Sequence, residues 1–178
     1  MKRKRILLIL LCVALIFGMV GLTGCGKGQD SAGPGIQEDQ AYQITLFFAN
    51  EKYIATGDES LEKFMVYQSE LTSRPGDVYL DALELLKNPP EEGYSTVITD
   101  SIKFNDVYLK DDTAFVDLDS NGLNGGSLDE TFLISQIVDT LTNTFSEIKQ
   151  VQFLVDGEAA ETLMGHVDAS EPFTKDLF

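Results

Sequence analysis

The sequence predicts an α+β domain in which a small mixed β-sheet carries two helices packed on one of its faces. Two segments repeat apolar residues at helical spacing, and runs rich in β-branched and aromatic residues lie before, between and after them. In chain order these segments give β-β-α-β-β-α-β. Amphipathic helices and a half-buried sheet each need a partner for their apolar side, so packing the helices onto the sheet buries both.

The opening segments of the domain, which is predicted to begin at Tyr42, are strands. Residues 43–48 start with alternating polar and apolar side chains and are rich in strand-forming residues. Residues 52–55 and 63–67 are predicted to be further strands, because Thr56-Gly57-Asp58 between them is typical of a turn.

The first helix is predicted to begin at Pro75. Proline suits the first turn of a helix, where its missing N–H would have had no partner in the helix. Apolar residues then recur at i, i+3, i+4 and i+7, and these are Tyr79, Ala82, Leu83 and Leu86. The helix should end at residues 88–90, Asn-Pro-Pro, since proline cannot continue a helix and restrains the residue before it.

A β-hairpin is predicted next, with arms at residues 103–109 and 113–118. Apolar residues alternate along both arms, at Val107, Leu109, Ala114, Val116 and Leu118. Residues 110–112 form the predicted turn, where Asp111 and Asp112 suit turn geometry.

A second helix, near Ser127, is the clearest element of the sequence. Ser127 and Glu130 have the spacing of a capping box, in which each side chain accepts a hydrogen bond from the other's backbone N–H. An apolar stripe follows, formed by Ile134, Ile137, Val138, Leu141 and Phe145. Residues 151–155 are then predicted to be a buried strand, closed by Asp156-Gly157.

The N-terminal residues predict an exported lipoprotein. A basic block at residues 2–5 precedes an apolar run at 6–17, so residues 1–24 have the layout of a cleavable signal peptide. Leu22-Thr23-Gly24-Cys25 resembles the bacterial lipobox, whose cysteine thiol receives a diacylglycerol. The alternative is an uncleaved transmembrane anchor, but a spanning helix needs ~20 apolar residues and this run is shorter. Both interpretations place the domain at the membrane, on its extracytoplasmic face.

Residues 25–41 are predicted to be the lipidated cysteine and a flexible tether, because they are rich in Gly, Gln, Asp and Glu. The formal net charge of −16 becomes −20 once the four cations of the signal peptide are removed. A chain this acidic repels nucleic-acid phosphates, which excludes nucleic-acid binding. With Cys12 in the signal peptide and Cys25 bound to lipid, the mature chain can form no disulfide. No cofactor beyond the covalent diacylglycerol is expected.

Six segments carry a resemblance to a known family through their order and spacing. They are 44–48 (ITLFF), 82–89 (ALELLKNP), 114–117 (AFVD), 136–142 (QIVDTLT), 151–157 (VQFLVDG) and 165–168 (GHVD). In this order they resemble the GerMN domain of sporulation and spore-germination lipoproteins, over about residues 42–173. The family's namesake is a tandem of two such domains, whereas this chain has room for one, at residues 42–178.

The resemblance implies a non-enzymatic interaction module with a fold like the ring-building domains of secretion and sporulation machines. It implies no catalytic residues. The expected partners are the membrane, through the lipid, and proteins of a sporulation or cell-envelope complex. The ring-building fold leaves self-association open, although the negative charge of the chain opposes it.

A hydrolase site could be imagined at His166, Asp168 and Ser170, because His166 is the only histidine of the chain. Neighbours along one extended segment do not converge on a substrate, however, and the sequence has no Gly-x-Ser-x-Gly elbow. The preferred interpretation is that His166 holds the C-terminal segment by hydrogen bonds.

A calcium loop could be imagined at residues 117–122, DLDSNG, where oxygen-bearing side chains alternate before a glycine. A twelve-residue loop that begins at Asp117 needs a carboxylate at position 128, which is Leu128. A strand-to-helix loop without a metal is therefore preferred.

Two classes of function follow from these observations. The first is a lipid-anchored interaction domain for sporulation, germination or cell-envelope assembly, which predicts an exposed sheet edge or apolar patch. The alternative is a lipoprotein that binds a small ligand or a cell-wall glycan in a concave site. Six phenylalanines could line such a site, but their strand and helix spacings favour the core: Phe47, Phe48, Phe115, Phe132, Phe145 and Phe153.

Overall fold

A computed structural model of the chain describes residues 38–175. The predicted signal peptide, the lipobox Leu22-Thr23-Gly24, the lipidation site Cys25 and most of the tether lie outside the described residues, and these remain predictions. Among the helices of residues 38–175, none combines the length and the apolar character that crossing a bilayer requires.

The first sheet is built on a long antiparallel pair. Strand β1 spans Gln40–Asn50 and β2 spans Phe64–Ser73, and their register runs unbroken from Gln40 opposite Ser73 to Ala49 opposite Phe64. A two-residue strand β3, Tyr94–Ser95, pairs with the end of β1. The strands predicted at residues 43–48 and 63–67 are confirmed, and both are longer than predicted.

The strand predicted at residues 52–55 is wrong, because helix α1 occupies Glu51–Thr56. The side chain of Asn50 accepts hydrogen bonds from the backbone N–H groups of Lys52 (3.0 Å) and Tyr53 (3.4 Å), which caps the helix start. Gly57, at φ 63°, ends the helix in the left-handed region and donates to Tyr53 O at 2.8 Å. Caps at both ends of one short segment outweigh its strand propensity.

Helix α2 spans Val78–Leu85, so it begins three residues later than predicted. Pro75 instead lies in a turn closed by a hydrogen bond from Asp77 N to Arg74 O at 2.9 Å. Proline suits the second position of such a turn as well as it suits a helix start. The predicted end of the helix before residues 88–90 is confirmed. Of the predicted apolar residues, Ala82, Leu83 and Leu86 are fully buried.

The second sheet contains the predicted hairpin. Strands β4, Phe104–Lys110, and β5, Thr113–Leu118, pair antiparallel across Asp111 and Asp112. Strand β6, Gln150–Val155, lies parallel to β5, and it pairs antiparallel with both β7, Glu158–Ala159, and β8, Phe173–Thr174. The buried strand predicted at residues 151–155 is confirmed.

Helix α3 spans Ser127–Thr144 and supplies much of the core. All five residues of its predicted apolar stripe are buried. The predicted capping box is wrong. Gly126 is the N-cap and donates its N–H to the Asp129 side chain at 2.9 Å, while Ser127 is the first helical residue and Glu130 points into the protein.

The α+β class with a mixed sheet is confirmed. In the part of the chain that the structure describes, the strands form a three-stranded and a five-stranded sheet instead of the single sheet expected. On the edge of β1 that faces away from β2, helix α3 binds the backbone at Thr45 and Phe47 and β3 pairs with the end of the strand, so in the described residues β1 pairs with no strand of the second sheet. One apolar core joins both sheets to α2 and α3.

Candidate functional site

Helix α3 covers one edge of β1 with side-chain hydrogen bonds. Thr140 Oγ1 accepts from the N–H of Phe47 at 3.1 Å, and Thr144 Oγ1 accepts from the N–H of Thr45 at 3.0 Å. Thr144 Oγ1 also donates to Thr45 O at 3.1 Å, and Gln136 Nε2 donates to Phe47 O at 3.2 Å. Because these three helical residues are four apart, they share one helix face and replace the missing neighbouring strand.

Gln136 also holds the chain after β3. Its Oε1 accepts from the backbone N–H of Val97 at 3.2 Å, while the amide lies with no exposure to solvent. A buried amide is tolerated only when its hydrogen bonds are made. Gln136 and the fully buried Thr140 therefore have a structural role, and they are not available to a ligand.

The opposite edge of this sheet, on β2, is open. The backbone groups of Thr45 and Phe47 point to α3, so the residues opposite them on β2, Gln68 and Val66, direct their N–H and C=O groups away from β1. β2 is the terminal strand of its sheet, and within residues 38–175 no strand pairs with this edge. Among the side chains that the structure describes, the Tyr94 hydroxyl alone bonds to this edge, at 3.5 Å from Val66 O.

This open edge lacks the features by which proteins usually block strand addition. Exposed edges are commonly protected by proline, by lysine, by a bulge or by shortness of the strand. β2 has ten residues, FMVYQSELTS, with no proline, no basic residue and no shift in register, and its one charge is Glu70. The edge is therefore suited to pairing with another extended chain.

A groove of about 510 Å³ lies beside the start of β2 and is called here the β2 groove. Residues 59–64 line it together with Phe47, Val66 and Asp139. Val66 is 49% exposed and lies directly opposite Phe47 in the register. The groove thus combines an apolar surface with the carboxylates of Glu59 and Glu62, and can accept an apolar side chain flanked by positive charge.

Glu130 is a fully buried carboxylate that binds the C-terminal segment. Its Oε1 accepts from the N–H groups of Leu163 and Met164, each at 2.8 Å. Its Oε2 accepts from those of His166 (2.7 Å) and Val167 (3.1 Å). Four backbone donors around one carboxylate compensate for its removal from water.

The pKa of Glu130 reflects two opposing effects. Burial raises the pKa, but the four backbone hydrogen bonds together outweigh burial and hold the pKa below the usual glutamate value. Glu130 therefore stays ionised at neutral pH. Because both oxygens already accept hydrogen bonds, its arrangement fits a structural anchor and not a general base.

His166, Asp168 and Ser170 do not form a catalytic arrangement in the described residues. His166 Nε2 lies 3.3 Å from Gly125 O, and the backbone N–H of His166 binds Glu130. Asp168 accepts from both the N–H and the hydroxyl of Ser170, which lowers the pKa of Asp168. The interpretation that His166 holds the C-terminal segment is confirmed.

The carboxylates of the imagined calcium loop bind backbone groups. Asp117 accepts from Gly157 N at 3.0 Å, and Asp119 accepts from Asn121 N at 2.7 Å at the start of a 3₁₀ turn, Ser120–Gly122. Asp156 accepts from the N–H of Ser120 at 3.3 Å. Within residues 38–175, no three His, Cys, Asp or Glu side chains are grouped so that they could hold a metal ion.

The phenylalanines divide between the core and the surface. Phe48, Phe132, Phe145 and Phe153 are buried, as their spacing predicted. Phe47 and Phe115 are partly exposed. Phe47 lines the β2 groove, and Phe115 stacks on Tyr108 with ring centroids 5.1 Å apart and planes within 6°. The assignment of all six to the core is therefore wrong for these two.

Sequence reasoning missed the covered edge of the first sheet, and it predicted an exposed sheet edge or apolar patch without assigning it to a strand. The four-residue spacing of Gln136, Thr140 and Thr144 was a visible signal, because polar residues beside an apolar stripe can bind a neighbouring backbone. The role of Glu130 had no such signal, since its partners are backbone N–H groups of residues 163–167. Which edge of a two-stranded pair stays open likewise depends on packing that the local sequence does not record.

Comparison with known proteins gives a family match and a fold match. The sequence profile of the Germane family, described as sporulation and spore germination, matches residues 45–161. The first GerMN domain of the sporulation protein GerM from Bacillus subtilis matches with a TM-score of 0.57 at 20% identity, over 76% of this chain and 96% of that chain. No protein of the curated set matches in sequence.

Two further solved structures are similar. The tandem GerMN domains of GerM from Bacillus subtilis match with a TM-score of 0.51 at 16% identity, over 82% of this chain and 48% of that chain. A candidate lipoprotein from Clostridium perfringens matches with a TM-score of 0.49 at 20% identity, over 79% of this chain and 91% of that chain. The chain thus spans about half the length of the tandem protein.

Proposed function

Because this chain belongs to the Germane family, linked to sporulation and spore germination, we propose that its folded domain is a non-catalytic protein-interaction module. The domain acts on the extracytoplasmic face of the cell membrane, where a diacylglycerol on Cys25 holds the chain. Its partners belong to a sporulation, germination or cell-envelope complex.

The observation that carries this proposal is the contrast between the two edges of the first sheet. The backbone of β1 is bound by α3, whereas the ten-residue edge of β2 is open and lies beside the β2 groove. An exposed sheet edge is a common recognition surface for extended segments of other proteins. The buried polar groups Glu130 and Gln136 are occupied by backbone partners, which leaves them no role in catalysis.

The lipid anchor rests on the sequence alone. The cysteine of the lipobox follows an apolar run, and two acyl chains at about 0.8 kcal/mol per buried CH₂ hold a protein stably at a membrane. We expect Cys25→Ala to abolish incorporation of labelled fatty acid and to move the chain from the membrane fraction to the soluble fraction. Fatty-acid labelling that persists in this variant would contradict the assignment of Cys25.

A glycan-binding or small-ligand-binding lipoprotein is the second candidate function, and one observation favours it. Tyr108 is 40% exposed and stacks on Phe115 on the second sheet. Asp106 and Asp117 pair two residues further along the same strands, so they lie on the same face. Flat aromatic rings beside carboxylates can orient a ligand that has apolar faces and hydroxyl groups.

The test of the proposed function is a cross-linked pull-down of the tagged full-length lipoprotein from membranes of its native host, read by mass spectrometry. Recovery of the same membrane or envelope-assembly proteins with wild type and with Tyr108→Ala supports the interaction module. Recovery of sugar or peptide without a protein partner, lost in Tyr108→Ala, would replace it by the ligand-binding function.

A further inference from the structure

We propose that the outer edge of β2 binds an extended, basic segment of a partner protein, which adds to the first sheet as a new strand. This inference rests on the proposed function and names the surface and the chemistry of the partner. It predicts backbone pairing along β2, an apolar side chain at the β2 groove and basic side chains on the flanks.

The backbone of β2 offers a regular row of partners for such a strand. Val66 and Gln68 lie opposite residues whose backbone groups face α3, so their own N–H and C=O groups face outward. The register is unbroken, so Glu70 and Thr72 continue the same alternation. Outward groups then recur every second residue, about 6.8 Å apart, which matches the repeat of another strand.

The side chains beside this edge favour an apolar residue at one position. Val66 is half exposed and pairs across the sheet with Phe47, which is only partly covered. A residue of the added strand opposite Val66 lies on the same face and next to the β2 groove. An apolar side chain there covers Val66 and removes apolar surface from water.

Charge selects a basic partner over a second copy of this chain. Among residues 38–175, Glu59 and Glu62 line the β2 groove with Lys63 as the one cation of its lining, and Glu70 lies further along the strand. The chain as a whole carries a formal net charge of −16. Complementary charge draws a basic segment to this edge, whereas two identical acidic chains repel each other.

The test uses the full-length chain in a mild detergent and the nine-residue synthetic peptide Lys-Thr-Lys-Thr-Val-Thr-Lys-Thr-Lys, observed by amide NMR. Because side chains alternate between the faces of a strand, its central Val and its four Lys lie together on the face that Val66 and Glu70 share. At a peptide concentration about ten times its Kd, hydrogen exchange at the outward amides should slow roughly tenfold. The affected amides are those of Val66, Gln68 and Glu70. The matched peptides replace every Lys by Glu or place a proline at the centre, and neither should protect these amides.

Two variants separate strand addition from binding elsewhere. Gln68→Pro removes an outward N–H that does not serve the β1–β2 ladder, and proline is tolerated at such an edge position. Its matched control is Gln68→Ala, which also loses the Thr45 Oγ1 to Gln68 Oε1 hydrogen bond of 3.2 Å but keeps the N–H. Protection should persist in Gln68→Ala and be lost in Gln68→Pro.

A second variant keeps the test valid if Gln68→Pro does not fold. Val66→Lys changes a half-exposed side chain and leaves the backbone intact, while it adds the kind of charge that guards natural edges. The peptide should lose its effect on the amides of Gln68 and Glu70. Ala41→Lys, at an exposed position on the same face of β1 opposite Thr72, should retain the effect.

Three results would overturn the inference. Equal protection by the acidic peptide would exclude charge complementarity, and protection confined to other residues would exclude the β2 edge. Protection of the same amides that grows with protein concentration and needs no peptide would assign the edge to a second copy. Each of these results is compatible with a successful pull-down from membranes. Strand addition at the β2 edge can therefore be wrong while the proposed interaction function is still supported.

Discussion

The backbone groups beside helix α3 and those on the outer edge of β2 differ in whether the protein itself binds them. Beside α3, Thr140 and Thr144 bind the edge of β1, and Glu130 binds four N–H groups of the C-terminal segment. On the outer edge of β2, the same kind of strand backbone has no neighbouring strand within the described residues.

Access to solvent explains the difference. The groups beside α3 are buried in part or fully, and a buried donor without a partner costs about 1–3 kcal/mol. The β2 residues whose backbone groups point outward are exposed, so water can satisfy the donors and acceptors that the Tyr94 hydroxyl does not reach. The fold therefore needs the polar residues of α3, while it can leave the β2 edge free at little cost in stability.

The largest effect is expected for Glu130→Ala, which orphans four backbone donors at once. We expect a loss of ~3–5 kcal/mol in the free energy of unfolding, measured by urea denaturation, because several donors lose a charged acceptor together. Asp129→Ala is the matched control, because Asp129 is an exposed neighbour with one hydrogen bond, to Gly126 N. It should cost no more than about 1 kcal/mol. Equal losses in the two variants would contradict the anchoring role of Glu130.

Acid should weaken the same anchor. The pKa of Glu130 is lowered in the folded protein from its ordinary value of 4.5, so its contribution to stability is present above that value and is lost as the pH falls through the folded pKa. Glu130→Gln cannot titrate at this position. Below pH 4.5, the stability of wild type should therefore fall more steeply than that of Glu130→Gln in urea titrations at stepwise lower pH. Parallel curves would show that the carboxylate is not the titrating group.

A smaller loss is expected when one hydroxyl is removed from the covered edge. Thr140→Val keeps the shape of the side chain but leaves the N–H of Phe47 without its acceptor, which should cost ~1–3 kcal/mol. Thr142→Val is the matched control on the same helix, since Thr142 bonds only to Val138 O. The control should lose at most about 0.5 kcal/mol in the free energy of unfolding, and thermal unfolding measures both losses. A control as destabilised as Thr140→Val would argue against edge coverage by Thr140.

The smallest effect is expected at the open edge. Relative to Gln68→Ala, Gln68→Pro should change the free energy of unfolding by at most about 0.5 kcal/mol, because the lost N–H faces water. Ser69→Pro removes an N–H that faces β1, opposite Ile44, and should cost about 3 kcal/mol. Circular dichroism with urea denaturation distinguishes the two. If the two proline variants lost the same free energy of unfolding, the conclusion that the N–H of Gln68 faces away from β1 would be wrong.

Local patterns predicted most of the elements and the apolar side of each. The stripe of α3, the hairpin of β4 and β5 and the strand β6 follow from periodicity, because burial of one face imposes a spacing on the sequence. The errors lie where a polar side chain has two possible partners. Asn50 capped a helix where strand propensity suggested a strand, and Glu130 turned inward where its spacing with Ser127 suggested a cap.

The sequence by itself determined the α+β class, the family resemblance, the acidic charge and the predicted lipid attachment at Cys25, because each depends on residue type and spacing along the chain. Only the tertiary structure decided that α3 covers β1, that Glu130 binds residues 163–167 and that β2 keeps an open edge. These features join segments that are 33 to 99 residues apart. Their partners are mostly backbone groups, which every residue carries and which therefore leave no trace in the sequence.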